Sequence, residues 1–106
     1  MAILPGCNSE VRRKSAAELG LNSAQARGRR VYDQRCVMCH QAYSSKSLNG
    51  PAMNGIFRRR ELPSGRPVND ERVREVIVLG RSKMPGFGNV LTEQQVDELL
   101  AYLHTL

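Results

Sequence analysis

The chain has 106 residues, 41% hydrophobic and 25% charged, with a formal net charge of +6. That length makes one small domain, and its ordinary apolar share excludes a disordered chain. Unbroken apolar runs, such as Val76 to Leu79, are far too short to cross a bilayer.

Taken in chain order, residues 1–21 read as a lead-in or tether ahead of a domain at 22–106. The segment Ser9–Gly20 can form a short exposed helix. A first packed helix is expected to start at Asn22 or Ser23, both good caps. Ala24, Gly28, Val31 and Tyr32 then share one face. Gly28 costs a helix about 1 kcal/mol relative to Ala, and a close helix–helix approach is the expected compensation. Residues 41–68 read as loop, punctuated by Asn49-Gly50-Pro51, Asn54-Gly55 and Pro63-Ser64-Gly65. A second helix is predicted from Asp70 to Leu79, capped by Asn69 or Asp70 and stopped by Gly80, with Val73, Val76 and Ile77 inward. Residues 82–89 form another loop. The last helix begins at a Thr92/Gln95 capping box and carries Val96, Leu99, Leu100 and Leu103 at helical spacing. No alternating strand pattern is evident. The fold class is therefore all-α, three to five short helices joined by long loops. Such loops are unusual in so small a domain unless something holds them.

The charge is uneven. Residues 1–66 carry twelve Lys/Arg against four Asp/Glu, and residues 67–106 carry four against six. A basic half suits an acidic partner or nucleic acid, or it is simply a solvated face. Without aromatics among the arginines or a nucleic-acid motif, nucleic acid is not expected. Arg58, Arg59 and Arg60 are the densest run and read as a solvated loop or as partners for a carboxylate.

Three of the chain's three cysteines and two histidines fall in one five-residue stretch, Cys36-Val37-Met38-Cys39-His40. Shuffling would produce C-x-x-C-H in about one arrangement per thousand. A thioredoxin-type dithiol belongs beside a βαβ pattern, which is missing. Structural zinc needs four ligands, and only Cys7 and His104 remain to complete a set. Covalent attachment of a c-type haem fits best. Cys36 and Cys39 lie one helical turn apart, their sulfurs can add to two vinyl groups, and His40 then comes under the iron.

The chain resembles a class I, monohaem cytochrome c over about residues 24–106. The resemblance rests, in order, on "GRRVYDQRCVMCH", "NGPAMNGIF", "KMPGF" and a final amphipathic helix containing Tyr102. It implies a small cytochrome c-like domain around one covalently bound haem. It implies Met84 as second axial ligand, with His104 as the rival and Met53 as core. It implies that the Pro51 carbonyl orients the His40 ring, that Ile56 and Phe57 wall the haem, and that first and last helices cross at Gly28 against Leu99 or Tyr102. The implied function is a one-electron carrier, not an enzyme, docking as a monomer on donor and acceptor proteins with acidic patches. If Met84 does not ligate, the site is open and a peroxidase-like enzyme or gas sensor results, with a glycine-rich loop mobile enough to uncover the iron. An electron-entry domain of a larger redox complex is a further alternative.

The family implies work outside the cytoplasmic membrane, in the bacterial periplasm or on that membrane's outer face. Only six residues precede Cys7, too few for a signal core. Leu4-Pro5-Gly6-Cys7 resembles the end of a lipoprotein signal, which would make Cys7 a lipid anchor and residues 8–21 its tether. Otherwise Cys7 is an ordinary free cysteine or an expression remnant.

Overall fold

A computed structural model describes residues 14–40, 42–43 and 50–106. Among these residues there are three α-helices, α1 (Ser23–Arg35), α2 (Asp70–Leu79) and α3 (Glu93–Leu103), and one 3₁₀ turn, Ile56–Arg58. The pairing of extended backbone among them is confined to two isolated bridges, Glu61 with Pro67 and Arg81 with Met84.

Each helix starts where a side chain can take up its free N–H groups. Asn22 and Gln25 form a reciprocal capping box on α1, and Thr92 and Gln95 do the same on α3. Asn69 accepts from Arg72 N on α2, and Asp70 and Glu71 complement its positive end. Gly80, at φ 79°, ends α2 in a conformation that a side chain would disfavour. The lead-in contributes one capped turn. Ser15 and Glu18 bond reciprocally, and Leu21 N donates back to Ala16 O across Gly20. Leu21 then packs against the core. Residues 1–13, including Cys7, lie outside the described residues.

The core lies between α1 and α3 and is closed by α2 and the 3₁₀ turn. Val31, Tyr32, Ile56, Val73, Ile77, Val96, Leu99, Leu100, Tyr102 and Leu103 are all buried in one cluster, with Met53 and Val78 packed against it. The α1–α3 crossing is as close as backbones allow. A Cβ on Gly28 would overlap the Glu98 carbonyl and come within 3.0 Å of Leu99 Cα. The expected crossing at Gly28 is therefore present, with Glu98 and Leu99 as its partners. Glu98 is only 7% exposed there. A buried carboxylate needs partners, and it has them: Arg27 Nε at 2.6 Å and Gln94 Nε2 at 3.2 Å. The Arg27 hydrogen bond, followed by that of Gln94, holds the Glu98 carboxyl below the usual carboxylate range.

Candidate functional site

The C-x-x-C-H stretch begins where α1 ends. Cys36 is the C-cap, its N–H still donating to Tyr32 O at 2.8 Å. The Cys36 carbonyl then accepts from Cys39 N at 3.1 Å and from His40 N at 3.0 Å. That tight turn carries all three side chains of the motif at once. Cys36 is half-buried, Cys39 is exposed, and neither is in a disulfide. Burial first, then Asp33 and Cys39, push the Cys36 thiol up to about 12. A redox dithiol needs the opposite shift, because the thiolate is the nucleophile. No cluster of three or more His, Cys, Asp or Glu side chains suited to a metal ion occurs among the described residues. The dithiol reading of the motif thus loses support.

The loop at 50–51 returns to this turn. Gly50 N donates to Cys39 O at 2.8 Å. His40 Nδ1 lies 2.6 Å from Pro51 O. A carbonyl can only accept, so Nδ1 carries the proton, and in the neutral ring Nε2 is left as a bare donor atom for a metal. A Cβ on Gly50 would sit 2.5 Å from His40 Cε1 and 2.9 Å from both ring nitrogens. Gly50 is thus the floor against which the imidazole lies. Its reading as a turn residue missed this contact; the adjacent proline that orients the ring was the available signal.

Met84 comes from a separate loop and is half-buried. It closes a two-residue turn with Arg81: Arg81 N donates to Met84 O at 3.0 Å, and Met84 N donates back at 2.9 Å. The following residues are stitched to the end of α2, Phe87 N to Ile77 O at 2.8 Å and Gly88 N to Val78 O at 3.1 Å. A Cβ on Gly86 would strike Val78 O at 2.6 Å. The glycines here allow close docking, which counts against the expectation of a mobile loop.

Ile56 is buried in the core, and Phe57 stacks on His104 with centroids 3.7 Å apart. His104 Nε2 also meets Asp70 Oδ1 at 2.6 Å. These two contacts occupy His104 at the end of α3. Arg59, read as part of a solvated run, instead binds backbone: its Nη2 donates to Ala52 O at 2.7 Å and to Asn54 O at 3.0 Å. Arg58 donates to Leu106 O at 3.3 Å. Arg60 is exposed, as the solvated reading expects.

A family model described as cytochrome c oxidase, cbb3-type, subunit III matches residues 23–103. The chain belongs to that family. It is also similar to a cytochrome c6 of Rippkaea orientalis (strain PCC 8801 / RF-1), 26% identical over 78 residues, which span 74% of this chain and 67% of the relative. The protein is thus a monohaem c-type cytochrome of small, all-α build, and its cofactor is covalently attached haem c. The donor set fits that group: two thiols outside any disulfide, one turn apart, followed by a histidine whose Nδ1 is engaged by Pro51 O, which leaves Nε2 as the donor atom of the neutral ring. Cytochromes of this family carry electrons.

Proposed function

We propose that the protein is a one-electron carrier, not an enzyme, whose haem c is bonded to Cys36 and Cys39 and axially held by His40 and Met84. The observation that carries this reading is the 2.6 Å bond from His40 Nδ1 to Pro51 O, which presents Nε2 in a fixed orientation. The bound haem supplies an Fe(III)/Fe(II) couple. His40 stays oriented through the cycle because Pro51 and Gly50 fix its ring. Met84 is a soft thioether of the kind that raises a haem's potential, and its turn is pinned to α2. Ile56 and Phe57 complete the haem's surroundings from the 3₁₀ turn. Little in such a site needs to rearrange when one electron enters or leaves.

The basic first half suits acidic docking patches on donor and acceptor, which steer a monomeric carrier into brief encounters. The work is placed outside the bacterial cytoplasmic membrane, in the periplasm or at that membrane's outer face. There residues 22–106 form the haem domain, and Cys7, if lipidated, tethers it through 8–21. Among the described residues, no helix is long and apolar enough to cross a membrane.

The far-red spectrum of the oxidised, haem-loaded protein tests the ligation. The weak iron–methionine sulfur band is expected in the wild type and lost in Met84→Leu. A wild type without that band has an open site or another ligand, and the carrier reading fails. A second reading, an electron-entry subunit of an oxidase, is favoured by the description of the matching family. Native membrane extracts separate the two: a free carrier elutes at its own mass, a subunit elutes with its complex.

A further inference from the structure

The chain has three tyrosines, and all three meet beside the histidine. Tyr32 on α1 and Tyr102 on α3 pack edge to face, with centroids 5.5 Å apart and planes at 61°. Each is only 1% exposed. Phenylalanine would fill that space equally well, so the hydroxyls need their own account, since a buried hydroxyl is costly unless paired. The Tyr32 hydroxyl donates to the His40 backbone carbonyl at 2.9 Å. The Tyr102 hydroxyl is bonded to that of Tyr43, three residues past the histidine. Burial, with the Tyr43 hydrogen bond next, raises the Tyr102 phenol, so it stays protonated across the neutral range.

The segment leaving the haem-attachment motif is therefore fastened twice, His40 to α1 through Tyr32 and Tyr43 to α3 through Tyr102. We infer that Tyr32, Tyr43 and Tyr102 are positioning residues that set the His40 ring against Pro51, so that the α1–α3 packing tunes the redox centre. This rests on His40 being the iron ligand. A firmly held Nδ1–H···O=C bond makes the imidazole a more basic ligand. A more basic ligand favours Fe(III) and lowers the potential. Slackening the hold on His40 lengthens that bond and raises the potential.

The test uses haem-loaded protein and two readouts that packing alone does not move: the reduction potential, and the His40 Nδ1–H proton resonance with its solvent-exchange rate. Tyr32→Phe keeps the ring and removes the bond to His40. The expected result is a higher potential and Nδ1–H exchange faster by about fivefold, the equivalent of one net hydrogen bond. Tyr43→Phe, at a half-buried position that tolerates the change, is expected to move both readouts the same way but less. The double variant should fall short of the sum, because both bonds fasten one segment. A lowered melting temperature in either variant, with potential and exchange unchanged, overturns the proposal and leaves the tyrosines as packing. A wild-type Nδ1–H resonance that the iron does not shift removes His40 as ligand, and the proposal falls with it. That result is distinguishable because it appears before any tyrosine is changed.

Discussion

The α1–α3 crossing and the two loops that present Pro51 and Met84 are built by different means. At the crossing, each feature is local in sequence: a cap at either helix start, an apolar face at helical spacing, and one glycine where the backbones touch. In the loops the fastening comes from outside each loop's own turns, from a few residues away to the C-terminal carbonyl. Arg59 holds the Ala52 and Asn54 carbonyls, Gly55 N and Arg58 both reach Leu106 O, and the 87–88 backbone borrows the last carbonyls of α2. The crossing carries the fold's stability, while the loops carry the residues proposed to orient His40 and to supply the second ligand. Substitutions should separate the two.

The largest effect is expected at the crossing. Gly28→Ala gains about 1 kcal/mol of helix propensity. It also drives a methyl into the Glu98 carbonyl, a backbone atom that cannot turn aside, and overpacking of this kind costs about 3 kcal/mol or more. The net loss of about 2 kcal/mol should lower the thermal midpoint by about 8–16 °C. The haem-loaded spectrum should be unchanged below the transition. Equal melting of variant and wild type would mean that the helices are free to part.

Gly50→Ala is the converse. Its methyl meets the His40 ring, which can move, but only by giving up the Pro51 bond, worth about 1–2 kcal/mol. The fold should lose less than in Gly28→Ala, and the site more. The expected outcome is attached haem with a changed visible spectrum and a shifted potential. An unaltered spectrum would show that the ring does not rest on Gly50.

This contrast also explains what the sequence made legible. The three helices, their caps, Gly28 and the C-x-x-C-H turn were readable because each is encoded within a few residues. The Pro51 contact was readable only through resemblance to a family. Arg59 looked like a solvated charge, because nothing near it in sequence says that Ala52 O is buried and needs a donor. Glu98 sits on the inward side of α3 among leucines, although a carboxylate is expected in solvent; its burial is tolerable because Arg27, 71 residues away, joins the nearby Gln94 in bonding it. Tyr43 was missed for the same reason: its partner, Tyr102, is 59 residues distant.

Glu98 sharpens the comparison through pH. Its carboxyl binds a proton more weakly in the folded protein than in the unfolded chain. The stabilisation it contributes is therefore present above the unfolded value, about 4.3, and is lost as pH falls through the depressed folded value. Glu98→Gln lacks that contribution. The gap between the melting temperatures of wild type and variant should be widest near neutrality and close in acid. A gap independent of pH would assign the role of Glu98 to shape rather than charge. The loops, whose fastenings are mostly to neutral carbonyls, should show no matching trend in the Met84 band.

The smallest effect is expected at Ser82, inside the turn that carries Met84. At φ 56° it is the one non-glycine among the described residues in the left-handed region. A side chain there costs about 1 kcal/mol, while glycine loses about 0.5–1 kcal/mol more backbone entropy on folding. The two nearly cancel, so Ser82→Gly should change stability by less than about 0.5 kcal/mol. The backbone bonds between Arg81 and Met84 do not depend on the Ser82 side chain, and the stitching of Phe87 and Gly88 to α2 lies beyond the turn. The iron–methionine band should therefore survive as well. If instead the band weakens while the melting temperature holds, then the left-handed serine, rather than the docking on α2, fixes the methionine, and the loop would owe its geometry to a local signal after all.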